Sequence, residues 1–345
     1  MKTALALFFV VALAGCNAIK PEPPVVRFST VESIGPGDLS VRSIDTVADW
    51  KGKSLIVALD GSTIVVYEGT TRHVVGTAAK SSPGLAVSDG VALVTWTTST
   101  AIMGATSTDL QTWTVNTIAK RTQKGGAFPS PCSAASVAWV DVPTTNVTTG
   151  AKDGVGSLNV STLSGAGWVT ATLNTTASIA SCDGDHLVWR DDRSTSGDLT
   201  KGIDTIRRAK LDGSGEEVVT SGYDAAYDQD PVTGDYTIGY HTVDKQAHVV
   251  SVVNGAQTDV LLDSVGSYVA PVVVGGRWFA VWAHYDQASD IALMDDSLHM
   301  TSASYDGAPV VIEGGSKGVV GGTSGVVGGE PVALYTVDSL IKLVK

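Results

Sequence analysis

The chain has 345 residues, of which 43% are hydrophobic and 38 are Gly, and no long segment is made of helix formers, so sheet is favoured over helix. Its 35 Asp and Glu against 23 Lys and Arg leave a net charge of −12, which argues against a nucleic-acid partner, because phosphate binding needs clustered basic residues. An acidic surface keeps a folded body soluble, with cation binding as its other reading.

The first residues read as a targeting segment. Lys2 supplies a basic n-region, Ala4 to Ala14 an apolar h-region, and Leu13-Ala14-Gly15-Cys16 a small-residue cleavage site ending in Cys. These four residues resemble the bacterial lipobox, whose Cys thiol receives diacylglycerol before cleavage on its N-terminal side. The resemblance implies a signal peptide over 1–15, lipidation at Cys16, and a bilayer as partner through three acyl chains. The other reading is an ordinary secretory signal in which Cys16 is incidental. Asn17 stands where the inner-membrane retention signal of enteric bacteria has Asp, which points to the outer membrane. Residues 16–25, with Pro21, Pro23 and Pro24, pair poorly in a sheet and read as a stiff tether. Residues 26–345 then form one domain, with no other apolar run long enough to cross a bilayer.

Within that domain one hairpin recurs. Ser181 to Arg193 has two runs around a tight turn at Asp183 and Gly184, the second carrying Leu187, Val188 and Trp189. Copies turn at Asp89-Gly90, Ser133 to Ala135, Thr233-Gly234-Asp235, Gly275-Gly276 and Gly328-Gly329, with a weaker one at Lys51-Gly52-Lys53. Taking one residue of each second strand as an anchor gives Val57, Trp96, Trp139, Trp189, Tyr240, Trp282 and Tyr335. Their spacings run from about 39 to 53 residues, the length of a four-stranded propeller blade.

Third and fourth strands follow the anchors: Ala101 to Ser107 and Thr112 to Ile118, then Ser157 to Leu163 and Trp168 to Leu173, then Asp204 to Leu211 and Glu217 to Ser221. The C-terminus offers Gly322 to Val327, Pro331 to Val337 and Ser339 to Lys345, and lacks a fourth strand. Val26 to Glu32 is the spare strand that closes the ring, because an open edge invites a partner. The fold class is an all-β propeller of seven blades, or six if the weak first unit is misread. Two packed sandwiches are the general alternative for a long all-β chain.

Trp189-Arg190-Asp191-Asp192-Arg193, then Ile203 to Ile206, then Lys210-Leu211-Asp212-Gly213, resemble the TolB-like and WD40-like propeller repeats of bacterial envelope proteins. Trp282 with Asp286 and Trp139 with Asp141 follow that pattern loosely. The resemblance implies a propeller and an envelope location, but says nothing of an activity. Ser107 to Trp113 looks like the Asp-box turn of sialidase-like propellers, with Gln111 where that turn has Gly. There the Asp caps the turn and the Trp packs between blades, a structural role.

The residues for chemistry are sparse. Sialidase chemistry needs an Arg cluster, a Tyr and Glu pair and an Asp acid; the FRIP-type start of that family is absent, and Val26-Arg27-Phe28 is a poor substitute. Other propeller glycosidases need two carboxylates across the sugar bond, which no spacing here singles out. The six His are scattered without metal-ligand spacing, so no metal and no cofactor is expected. The repeat does align one set: Asp141, Asp191 and His284 lie two residues past their anchors, and His241 joins them if Gly239 is that unit's anchor. They form a candidate ligand face at the channel mouth, or they cap their own loops. Cys132 and Cys182 each lie seven residues before an anchor Trp, at equivalent positions on neighbouring innermost strands, and are expected to form a disulfide. The functional expectation is a non-enzymatic envelope scaffold for a protein or glycan, with a carbohydrate-active enzyme as the alternative.

Overall fold

The computed structural model describes residues 32–34, 41–51, 53–68, 71–77, 83–123, 125–143, 155–165, 167–192, 204–264, 266–274, 276–284, 290–298, 300–304, 310–315, 318–323 and 332–336. Cys16, the tether, Val26 to Val31 and Ser339 to Lys345 lie outside the described residues. Every regular element among the described residues is a β-strand.

Strand β1 (Glu32–Ile34) comes first among the described residues. Strands β2 (Val41–Trp50), β3 (Lys53–Asp60), β4 (Thr63–Glu68) and β5 (Thr71–Thr77) form a four-stranded antiparallel meander, as do β6 (Gly84–Ser88), β7 (Val91–Thr97), β8 (Ala101–Ser107) and β9 (Thr114–Lys120). Next come β10 (Ala127–Ser133), β11 (Ser136–Asp141), β12 (Gly156–Ser164), β13 (Gly167–Asp183), β14 (His186–Asp191), β15 (Thr205–Lys210) and β16 (Glu217–Ser221), all in one seven-stranded sheet. Strands β17 (Tyr223–Gln229), β18 (Tyr236–His241), β19 (Ala247–Val253) and β20 (Ala256–Asp263) make another four-stranded sheet. So do β21 (Gly266–Val274), β22 (Arg277–His284), β23 (Asp290–Asp295) and β24 (Met300–Ser304). The last sheet holds β25 (Val310–Gly315), β26 (Gly318–Thr323), β27 (Val332–Thr336) and β1, in the order β1-β27-β26-β25.

The chain ends meet as expected but through a later strand: β1, which shares only Glu32 with the expected Val26 to Glu32, pairs antiparallel with β27, Glu32 opposite Leu334 and Ile34 opposite Val332. Two expectations shift. Trp168 to Leu173 does not end a strand, since β13 runs on for 17 residues, pairing β12 up to Ala177 and β14 from Ala177 onward. Among the described residues the sheets number six, or seven if β13 is divided at Ala177; the weak first unit, whose misreading left six open, forms a full four-stranded sheet. In the last unit, Tyr335 falls on the third strand of its sheet, because the second is β26 and not Pro331 to Val337.

Second strands read as almost continuous apolar runs because both their faces are covered. All six residues of β11 are buried, while β9 at an outer edge is mostly exposed. The left-handed Asp89 (φ 51°) and Gly90 (φ 71°) make the primed turn that fits the twist of β6 and β7.

Each aromatic anchor packs towards the preceding unit. Trp96 joins Val57 and Val66, Trp139 joins Leu93 and Ile102, and Trp189 joins Val140 and Leu158. Tyr240 joins Val188 and Ile206, and Trp282 joins Val249 and Leu262. Burial of such a ring contributes about 2–3 kcal/mol, so the stacking of neighbouring units is the core. At Gly239 a Cβ would stand 2.7 Å from the Val269 carbonyl oxygen, so only Gly lets β18 approach β21 this closely.

Near the axis the innermost strands are also tied by polar bonds at a fixed period. Ala134 N donates to Ser88 Oγ at 2.8 Å, Tyr227 N to Ser181 Oγ at 3.2 Å, and Val273 N to Asp228 Oδ2 at 2.7 Å, with sequence separations of 46, 46 and 45. Cys132 and Cys182 are joined by the expected disulfide, with Cα atoms 5.0 Å apart. In the Asp-box-like turn Asp109 Oδ1 accepts the backbone N–H groups of Gln111 (2.9 Å) and Thr112 (2.8 Å), and Trp113 Nε1 donates to the Leu110 carbonyl. Trp113 packs on the core between the first two meanders, the structural role expected of it.

Candidate functional site

Asp141, Asp191, His241 and His284 are each the last residue of the second strand in their unit, β11, β14, β18 and β22. They pair with Ala127, Ala177, Tyr223 and Gly266 at the near ends of the innermost strands. The alignment read from the sequence is therefore met at the backbone, although the His284 side chain lies outside what is described.

The side chains divide in their use. Asp141, 1% exposed, accepts from Thr122 N (2.9 Å), Gln123 N (3.0 Å), the Thr122 hydroxyl (3.2 Å) and Arg121 Nε (3.2 Å). The same guanidinium holds the Thr98 and Gly125 carbonyls, so this carboxylate fastens the loop after β9. Asp191, wholly buried, accepts from the Thr176 hydroxyl (2.8 Å) and lies 2.6 Å from Arg207 Nε. Both carboxylates are occupied within the protein.

His241 belongs to a different arrangement. Its ring stacks on Tyr223, with centroids 5.9 Å apart and planes 18° from parallel, and its Nε2 stands 3.6 Å from Asp224 Oδ2. Arg190 Cζ also sits 4.4 Å from the centre of the Tyr223 ring, while Arg190 Nη2 lies 2.9 Å from Asp204 Oδ2. The local backbone sets this up. The pairing of β17 with β18 slips between Tyr223 and Ala226, and Asp224 there adopts a left-handed φ of 50°, which turns its carboxylate outward to 45% exposure.

The environment tunes these groups. Burial holds the His241 imidazole below its ordinary value, with Asp224 opposing and Arg190 adding to the effect, so the ring is neutral near pH 7. Burial raises the Asp204 carboxyl; Arg190 and the Tyr223 hydroxyl pull it back, and Asp192 beside it adds to the rise. Burial and then Asp204 raise the Tyr223 phenol. The result is a rim with a neutral imidazole, an outward carboxylate and an aromatic face, able to hydrogen-bond a polar ligand. Among the described residues no three His, Cys, Asp or Glu side chains are grouped to hold a metal ion.

Sequence reasoning found His241 and missed Tyr223, Asp224 and Asp204. The Trp189-Arg190-Asp191-Asp192-Arg193 run pointed to Arg190, but its partners come from residues that only the pairing of β14, β15, β17 and β18 brings together.

No protein-family model matches the chain, and no curated protein matches it. Solved structures do. A chain of the mitotic checkpoint complex superposes with a TM-score of 0.58 at 12% identity, covering 98% of this chain and 99% of that one. The β-propeller domain of Cps50 (Swd1) from Myceliophteria thermophila gives 0.56 at 12% identity, covering 90% of this chain and 99% of that one. A putative TolB from Agrobacterium tumefaciens gives 0.44 at 13% identity, covering 64% and 82%. At such identities likeness speaks for fold alone, and on the two full-length superpositions together with the closed order of antiparallel sheets the chain has the β-propeller fold.

Proposed function

We propose that the chain is a lipid-anchored protein of the bacterial envelope, held at the outer membrane through Cys16, and that it is a non-enzymatic scaffold binding a protein or glycan. The anchor rests on the Leu13-Ala14-Gly15-Cys16 run and the Pro-rich stretch after it. No helix among the described residues is long and apolar enough to cross a membrane. The binding face is the rim at the ends of β11, β14, β18 and β22. The observation that carries it is the His241, Tyr223 and Asp224 group, where a left-handed residue at a register slip presents a carboxylate that no core contact requires.

A carbohydrate-active enzyme is the second reading, and Asp192 beside Asp204 is the observation in its favour. Glycosidase carboxyls stand about 5–10 Å apart across an open sugar site. Asp192 and Asp204 are both 1% exposed and within hydrogen-bonding reach of each other, which leaves no room for a sugar between them. The scaffold reading is therefore preferred.

The test compares wild type with a His241→Ala, Asp224→Ala double variant on a glycan array and in crosslinked envelopes. Binding that falls at least tenfold in the variant is expected. A variant that captures the same partner equally well removes the rim from the function, and turnover of a glycan by wild type favours the enzyme.

A further inference from the structure

Phe128 is the one aromatic ring among the exposed large apolar side chains of the described residues. Its place is set by the pairing of β10 with β11. Phe128 stands opposite Val140, one position in from the Ala127 and Asp141 pair at the rim, so the two side chains share a face of the sheet. Val140 is wholly buried against the next unit with Leu158 and Ala177, whereas Phe128, on the innermost strand, is 53% exposed.

The ring is backed by main chain. A Cβ at Gly126 would stand 3.1 Å from both Cε2 and Cζ of Phe128, so the ring lies close over the glycine. Gly126 is itself tied to the end of β11, its carbonyl accepting the Val142 N–H at 3.0 Å. The ring is thus a supported platform at the channel mouth, with about half of its surface open.

The surroundings decide what such a platform takes. The other exposed apolar side chains are dispersed: Val115, Val218 and Leu261 lie on outer strands, and Val232 and Leu298 at hairpins of the opposite end. Val243, at the mouth, belongs to the loop after β18, two units further round the ring. Beside Phe128 the side chains are polar, with Thr122 and Gln123 bonded to Asp141. A protein partner's anchor needs a contiguous apolar patch that seals the contact from water, and an isolated ring among polar groups supplies none. A pyranose fits such a place, since its C–H face lies on the π-face of the ring while its hydroxyls stay in polar surroundings.

Charge narrows the class. Arg121, Arg190 and Arg207 are held by Asp141, Asp204 and Asp191. Burial keeps His241 neutral near pH 7, and the exposed Asp224 and Asp244 stand against Lys245 in that unit. The whole chain carries −12, so a uronic or sialic acid approaches against the field.

Resting on the reading of the rim as the binding face, we propose that its ligand is a neutral glycan and that Phe128 is the platform on which one of its pyranose rings stacks. His241 and Asp224 hydrogen-bond hydroxyls of the same glycan further round the mouth.

The mature protein and its Phe128→Trp, Phe128→Leu and Phe128→Ala variants are applied to an array of neutral gluco- and galacto-oligosaccharides, with sialylated and uronate-bearing ones beside them. The His241→Ala, Asp224→Ala double variant is the reference. Wild type is expected to bind a neutral glycan at least tenfold more tightly than any acidic one. Trp should keep that affinity, whereas Leu and Ala should each lose at least tenfold, because Leu retains the apolar bulk and lacks the π-face. Melting points should not change, since the ring is at the surface, and the Leu variant carries the test if Ala does not fold. Leu binding as wild type makes the contact merely apolar and overturns the platform. Phe128 variants that all bind as wild type, while the reference loses binding, overturn the platform and leave the rim standing; a reference that binds as wild type removes the rim and this proposal with it. Wild type that binds no neutral glycan, or prefers an acidic one, overturns the ligand class.

Discussion

Cys132 and Cys182 are bonded with their Cα atoms 5.0 Å apart, although 50 residues separate them in the chain. The bond joins β10 to the second half of β13, the same two strands that carry equivalent positions before Trp139 and Trp189. In the chain-entropy picture a closed loop of this length stabilises by roughly 4 kcal/mol. The Cys132→Ser, Cys182→Ser pair should therefore melt about 5 °C lower by calorimetry, with an unchanged far-ultraviolet spectrum. Equal melting points would mean that the unit interface alone fixes this junction.

Asp141 predicts a larger loss. Asp141→Ala leaves the Thr122 and Gln123 N–H groups and a guanidinium only 5% exposed without their acceptor, which costs about 3–5 kcal/mol. Pairing it with Arg121→Met should recover part of that cost, because the uncompensated charge goes too. A double variant less stable than Asp141→Ala by denaturant titration would contradict the role given to Arg121.

His241 carries a pH prediction. Burial depresses the imidazole below its ordinary 6.5, so the unfolded chain binds a proton that the folded one refuses. Stability is full above about pH 6.5 and falls as pH drops through the folded value. His241→Gln should flatten the melting curve between pH 7 and 5, and an unaltered slope would place the titration elsewhere.

The anchor is tested by Cys16→Ser. The mature body should appear in the soluble fraction with an unchanged melting point. A variant that still pellets with membranes after a high-salt wash would refute lipidation at Cys16.

Closure is tested by removing residues 26–34. The outer edge of β27 is then bare, and the melting point should fall by several degrees. No change would mean that the β1 pairing contributes nothing.

The units were legible because their turns and anchors repeat, and Val57, Trp96, Trp139, Trp189, Tyr240 and Trp282 do lie on second strands. The last unit was misplaced for a physical reason. Gly318-Val319-Val320-Gly321-Gly322 is repeated at Gly325-Val326-Val327-Gly328-Gly329, and two identical runs give pairing no local preference for either. The continuous β13 had a signal that went unused, since Trp168 to Asp183 contains neither Gly nor Pro to break it. The Arg190, Tyr223 and His241 stack had none, because its members meet only after neighbouring units pack.

The pairing of β1 with β27 also sets a timetable. Synthesis delivers β1 first, yet Ile34 finds Val332 only after another 298 residues have emerged. Until then every nascent ring is open, with one exposed edge at each end, and its closing step is the most non-local strand pairing among the described residues. A stalled or truncated copy cannot finish on its own and offers β1 and its last complete unit to the edges of other chains.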